Sequence, residues 1–319
     1  MPLIDMSVEK LKVYEGRNPR PADFDEFWDR SLAEIKAIDP KATFTPVSFP
    51  SNVAECFDLR FTSTKGARIH AKFVRPKHTK GKIPALLKFH GLSGNNGSWT
   101  DLFAFAAEGF AVAALDSRGQ GGLSEDVGGV AGTTYTHPFI RGLEGPPEGF
   151  LVRDLFLDTA MLARVVMELD YVDEQRIGVF GGSQGGALSI ACAALVPEIK
   201  LCAPNFPYYA DYKRVWEMDL DKGAYEGLRY YFRWFDPAHE REDEIFEKLG
   251  YIDIQFLAPR IRAKVLMATC LMDTTCPPST QFAAYNKMTC EKSVVFYPDY
   301  AHEEPRVHKD RVFAFLSEL

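Results

Sequence analysis

The chain has 319 residues, 46% of them AVILMFWYC and 25% charged, a balance that builds a globular core. Thirty-seven basic against 44 acidic residues leave a net charge of −7, which excludes the dense positive footprint of a nucleic-acid surface. No apolar run reaches the roughly 18 residues of a membrane span, and the charged start MPLIDMSVEK lacks the apolar stretch of a secretory leader, so a cytoplasmic setting is expected.

In chain order, residues 1–50 read as an N-terminal extension. Within it, 22–37 space Phe24, Phe27, Trp28, Leu32 and Ile35 at helical intervals behind Pro21. Two β-type runs follow, 57–64 and 67–76, separated by Lys65-Gly66, the pattern of an antiparallel hairpin. From Ala85 the pattern changes. Apolar strands at 85–90, 111–116, 177–182, 200–206, 264–273 and 293–298 alternate with helical segments near 100–108, 151–169, 184–195, 279–288 and 305–318. Continuous apolar runs alternating with helices predict a mostly parallel sheet covered by helices on both faces, a doubly wound α/β fold. Sites in such folds sit at the carboxyl ends of the strands.

No repeat or linker divides the chain, so 1–319 is expected to form one domain. Residues 207–260 interrupt the rhythm with about two helices' worth of aromatic and charged sequence, either a lid or a packed insertion. The Gly- and Pro-rich stretch 121–149 is placed at a pocket mouth. The six cysteines (56, 192, 202, 270, 276, 290) are sparse and lie partly in apolar runs, so they are expected as free thiols. Neither a CxxC nor an HExxH pattern occurs, and no metal or organic cofactor is expected.

The sharpest local signal is Gly181-Gly182-Ser183-Gln184-Gly185, a G-x-S-x-G between the strand RIGVF and the small-residue helical run GALSIACAAL. A nucleophilic serine exposed on a tight strand-to-helix turn needs that setting, with glycines where neighbouring backbones pass closely. A serine alcohol needs a base, and the base an orienting carboxylate, each just past a later strand. Asp273 ends the strand KVLMATCLMD, and His302 follows SVVFYP, giving Ser183–Asp273–His302 as the candidate triad. Asp299 competes for the acid role but follows the same strand as His302. His308 reads as part of the closing helix, His239 as solvated helix, and His90 as a loop former.

Acyl transfer also needs amide donors for an oxyanion. Gln184 N–H, after the nucleophile, is one. Leu92 N–H, in the loop His90-Gly91-Leu92-Ser93-Gly94, is the other. Arg118 is read as a charged anchor under the site, ahead of a glycine turn. Tyr208 and Tyr209 follow the next strand and are candidates for closing the acyl side, or for lid or core packing.

Together, Arg118-Gly119-Gln120-Gly121-Gly122, the GGSQGG run with Gly181 and Gly185, Asp273 in LMDTTCPPST, and His302-Glu303 resemble the acetyl xylan esterase / cephalosporin C deacetylase family, carbohydrate esterase family seven. The resemblance runs over essentially the whole chain and implies an α/β-hydrolase fold. It implies removal of acetyl groups from small acetylated sugars and from cephalosporin C-like esters, with Ser183 as nucleophile, Asp273 as acid and His302 as base. Its oxyanion amides fall on Gln184 and Leu92; the family usually carries tyrosine at the latter position. Arg118, Gly119, Gln120 and Glu303 match motif positions that read as structural. An intracellular hexamer is the further implication. The rival expectations are another hydrolase on the same fold, such as a general carboxylesterase or peptidase, and a non-catalytic scaffold.

Overall fold

A computed structural model describes residues 4–128 and 137–319; residues 129–136, inside the stretch expected at the pocket mouth, lie outside the described residues. Among the described residues nine strands form one sheet: β1 (Thr43–Val47), β2 (Ala54–Thr62), β3 (Arg68–Pro76), β4 (Ile83–Phe89), β5 (Ala111–Leu115), β6 (Val172–Gly182), β7 (Leu201–Asn205), β8 (Lys264–Cys270) and β9 (Lys292–Tyr297). Their order is β1-β2-β3-β5-β4-β6-β7-β8-β9. β1, β2, β3 and β5 run antiparallel to one another in turn, with Ala54 opposite Pro76 in the expected hairpin, and every pair from β5 through β9 is parallel.

The sequence explains the arrangement. β5 (AVAAL) and β7 (LCAPN) are buried at every position, as parallel strands covered on both faces must be. β1, which the sequence pattern did not predict, is a short edge strand that carries Pro46 and is exposed or half-buried throughout. An edge tolerates a proline that a central ladder would not. Helix Gln184–Leu195 is buried along its entire length, and its run of glycine and alanine lets it approach the sheet closely. Helix Leu151–Met167 covers the same side and carries the buried Asp154 and Asp158.

Residues 207–260 hold four α-helices, Tyr212–Glu217, Gly227–Phe235, Glu242–Gly250 and Ile254–Leu257, rather than two. They are packed rather than free: Tyr212, Val215, Tyr225, Leu228, Phe246 and Leu249 belong to the main core. The N-terminal extension fastens this insertion down. Asp211 accepts from Tyr14 O–H at 2.8 Å and from the N–H groups of Arg17 and Asn18 at 2.9 and 2.8 Å. Trp28 Nε1–H donates to Tyr251 O at 3.0 Å. Among the described residues no helix is long and apolar enough to cross a membrane. All six cysteines are unpaired.

Candidate active site

The strand β6 ends at Gly182, and the helix begins at Gln184, so Ser183 alone turns the chain between them. Its φ of 56° and ψ of −121° are an unusual conformation for a non-glycine residue, the strained elbow that the G-x-S-x-G context predicts. Close approach explains the flanking glycines: a Cβ at Gly181 or Gly185 would lie 2.4 or 2.1 Å from Phe89 O. Ser183 N–H donates to Asn205 O at 2.9 Å, which pins the elbow to the end of β7.

His302 Nε2 lies 2.9 Å from Ser183 Oγ, and His302 Nδ1 lies 2.8 Å from Asp273 Oδ2. A carboxylate can only accept, so the proton sits on Nδ1 and Nε2 is free to accept from the serine hydroxyl. Asp273 is fully buried. Its Oδ1 accepts from the N–H groups of Thr275 and Cys276, both at 2.8 Å, which fixes the carboxylate plane. The three candidate residues therefore form one hydrogen-bonded chain. Asp299, the competing acid, is exposed. Cys276 places its sulfur within 4.8 Å of ligand atoms of Asp273 and His302. Burial pushes its thiol well above the usual range, and the other two are already joined by a hydrogen bond, so the cluster reads as a triad with a neighbouring thiol.

Leu92 N–H has no acceptor among the described residues, and Gln184 N–H lies in the first turn of its helix, where no helical partner exists. A side-chain network holds both loops. Gln120 Oε1 accepts from Ser93 N–H at 2.8 Å and from Gln184 Nε2–H at 3.0 Å, and Gln120 Nε2–H donates back to Gln184 Oε1 at 2.8 Å. One glutamine thus ties the loop of one candidate amide to the residue that bears the other. This coupling was not read from the sequence; its only signal was the position of Gln120 between Gly119 and the next glycines. His90 adds a second tie. Its Nδ1 lies 2.7 Å from Gly91 O, and Nε2 accepts from Ser117 N–H at 2.9 Å, while burial lowers its pKa and keeps it neutral.

Arg118 is fully buried and donates from Nε to Asp158 Oδ2 at 2.7 Å and from Nη2 to Thr64 Oγ1 at 3.0 Å. It anchors the loop from below and does not reach Ser183's hydrogen-bonded chain. Glu303 is exposed, and its Oε1 accepts from Ala301 N–H at 3.4 Å, stiffening the turn that presents His302. One further expectation needs correction. His239 lies in a turn with φ of 56°, not in a helix, and its ring stacks on Phe232 at 4.7 Å. Of the readings open for Tyr208 and Tyr209, core packing is the one observed: both are fully buried, with Tyr209 O–H donating to Gln184 Oε1 at 2.8 Å.

A cavity of about 700 Å³ opens beside Ser183, with Gly91, Gly182, Phe180 and Phe206 among its walls. Phe206, whose φ of 32° is rare for a bulky residue, packs edge-on against the His302 ring at 4.9 Å. None of residues 207–260 stands among the described walls of this cavity.

Comparison with known proteins gives this geometry its setting. The family described as acetyl xylan esterase matches residues 1–319. A solved acetyl xylan esterase from Thermoanaerobacterium sp. JW/SL YS485 is 53% identical, with a TM-score of 0.97 and 99% of each chain covered. Another, from Paenibacillus sp. R4, is 35% identical, with a TM-score of 0.93 over 98% of this chain and 99% of that one. The acetyl esterase Axe7A of Xylanibacter ruminicola is 24% identical over 305 residues, 94% of this chain, while this chain spans 66% of that esterase's length. Pyrococcus horikoshii acylaminoacyl peptidase, 18% identical with a TM-score of 0.56 over 79% of this chain and 38% of its own, shares the fold alone. The protein accordingly has the α/β-hydrolase fold and belongs to the acetyl xylan esterase family of carboxylic ester hydrolases.

Proposed function

We propose that the chain is a serine esterase that removes acetyl groups from small acetylated carbohydrates, including xylo-oligosaccharides, and from acetyl esters of the cephalosporin C type. The observation that carries the reading is the hydrogen-bonded chain Ser183–His302–Asp273 on a strained elbow in a member of this family. Ser183 Oγ attacks the acetyl carbonyl as His302 Nε2 takes its proton. The oxyanion that forms is met by the N–H groups of Leu92 and Gln184, a kind of preorganised donor pair whose members are each worth about 3 kcal/mol of barrier. His302 then gives the proton to the departing sugar oxygen. Water, activated by the same ring, hydrolyses the acetyl-enzyme and restores Ser183. Asp273 keeps His302 in the productive tautomer and stabilises its cation. The backbone amide is all that this mechanism asks of Leu92, so the missing tyrosine side chain leaves the oxyanion donors intact. The reading extends to one catalytic domain over 1–319 and a cytoplasmic setting, from the sequence pattern, and to assembly into an oligomer, by family resemblance alone.

Acetate release measured on acetylated xylo-oligosaccharides, on cephalosporin C and on a nitrophenyl ester series tests it. Activity is expected to fall steadily as the acyl chain grows, because methylenes forced into a packed acyl site cost about 1–3 kcal/mol, tenfold in rate per 1.4 kcal/mol. A profile rising towards butyrate or octanoate would mark a general carboxylesterase instead.

A further inference from the structure

Leu92 N–H can serve an oxyanion only if its loop is held still. Within that loop, Gly94 N–H donates to Gly91 O at 3.1 Å, closing a turn with Leu92 and Ser93 at its centre. Ser93 takes a φ of 61°, which a non-glycine residue rarely adopts, so the turn needs support from outside. Most of its ties to other elements run to the segment after β5. Ser93 N–H reaches Gln120 Oε1, Gly121 N–H donates to Gly94 O at 3.0 Å, and Asn96 N–H donates to Asp116 Oδ1 at 2.7 Å. The place of the Leu92 amide therefore follows that of residues 116–121.

One side chain organises that segment. Asp116 directly follows β5 and is buried. Its Oδ2 accepts from Leu123 N–H at 2.9 Å and lies 2.6 Å from His70 Nδ1, while its backbone N–H donates to His70 O at 2.9 Å. Ser124 Oγ–H donates to Asp116 O at 2.6 Å. The chain wraps so closely over the carboxylate that a Cβ on Gly122 would lie 2.0 Å from Asp116 Cγ. A carboxylate only accepts, so His70 presents Nδ1–H to it, and the far side of the ring, Nε2, lies 3.3 Å from Asp58 Oδ1. Burial by itself raises the pKa of an acid, yet the hydrogen bonds from His70, Leu123 and Asn96 hold Asp116 below the usual carboxylate range. The group is thus a buried anion with three donors, one each from β3, the loop after β4 and the loop after β5. Among the described residues it has no hydrogen bond to Ser183, His302 or Asp273.

We infer that Asp116, backed by His70, is a positioning residue for catalysis: it clamps the loop after β4 to the loop after β5 and so sets where the Leu92 amide meets the oxyanion. The inference rests on the acyl-transfer reading of the site and adds the group that keeps one of its amides aimed. The oxyanion forms only as the carbonyl carbon becomes tetrahedral. A misaimed amide therefore costs the transition state and leaves binding of the ester alone.

Asp116→Asn keeps the volume but replaces one carboxylate oxygen with an amide nitrogen that cannot accept from Leu123. His70→Leu, on a different strand, removes the donor behind the clamp. Both are compared with wild-type protein in kcat and KM for 4-nitrophenyl acetate and in the inhibition constant of 1,1,1-trifluoroacetone. That ketone takes Ser183 Oγ at its carbonyl carbon; the serine proton passes to His302 and the carbonyl oxygen becomes the oxyanion. Asp116→Asn should lower kcat on the order of 10- to 100-fold with KM within about twofold, and should raise the ketone's inhibition constant by a comparable factor. His70→Leu should move the same two quantities in the same direction by about three- to tenfold. A merely structural role reduces the fraction of active molecules, which scales kcat and leaves the inhibition constant unchanged. That result, an unchanged kcat, or a change in KM that accounts for the loss overturns the clamp. Ser183→Ala protein that turns over the ester at the wild-type rate is a separate outcome. It removes the acyl-transfer reading itself, and the clamp with it. If Asp116→Asn fails to fold, His70→Leu decides on the same pair of measurements.

Discussion

At the residue scale, the two carboxylates that compete for the acid role differ in their surroundings more than in their sequence position. Asp273 is enclosed, receives two backbone N–H groups on one oxygen and His302 on the other. Asp299 stands exposed on the turn after β9. Asp273→Asn should therefore lower kcat on a small acetyl ester by about 10⁴, because the amide would favour the wrong imidazole tautomer, while Asp299→Asn should stay within about twofold. Steady-state rates for the two variants check the ranking, and the reverse order would move the acid role to Asp299. Ser183, Asp273 and His302 were legible in the sequence because each requirement is local: an elbow between a strand and a helix, then two strand ends in order. Gln120 as the tie between loops was not. Its role arises from contacts between elements far apart in the chain, which no local pattern encodes.

At the scale of elements, the central strands were readable because burial on both faces leaves unbroken apolar runs, and the helix Gln184–Leu195 because its small residues follow directly on the elbow. β1 escaped since a short edge strand with a proline leaves little pattern, and the insertion's four helices are too short for clear periodicity. What holds that insertion is equally hidden in sequence. Asp211 and Asp253 are buried together: Asp253 Oδ2 accepts from Asp211 N–H at 2.9 Å and from Gln255 Nε2–H at 2.8 Å, and Lys287 Nζ donates to Gln255 Oε1 at 2.9 Å. Burial, with the neighbouring Asp211 charge, pushes the Asp253 carboxyl up to about 8. In an unfolded chain the same group titrates near 3.9. Between those values the native state holds a proton that the unfolded state has released, so stability is greatest on the acid side and declines as pH rises towards 8. Thermal melts from pH 5 to 8.5 should show that decline in wild-type protein. Asp253→Asn should flatten it by about 2 °C or more, whatever its starting stability. An unchanged slope would place the titrating group elsewhere.

At the scale of the whole molecule, the candidate machinery divides along the sheet. The nucleophile and both candidate amides stand on loops after β4 and β6, in the middle of the order, while the acid and the base follow β8 and β9 at one end. Among the described residues β9 pairs only with β8, and each of its residues is exposed or half-buried. Stability is not uniform across such a sheet, and segments with fewer buried contacts open at lower free energy than the core. Fraying of this one margin would withdraw His302 while the elbow and the amide loops stayed in place. The molecule then has a state that is folded by most optical measures and chemically silent. On heating, activity should vanish with a midpoint a few degrees below that of the far-ultraviolet dichroism, and amide exchange in 292–307 should outpace that of β4, β6 and β7. Coincident midpoints would mean that the margin opens only with the rest. With the midpoints separated in this way, the temperature at which catalysis stops would be set by the grip of β9 on β8, and a change that tightens that pairing should extend the working range without touching the candidate triad.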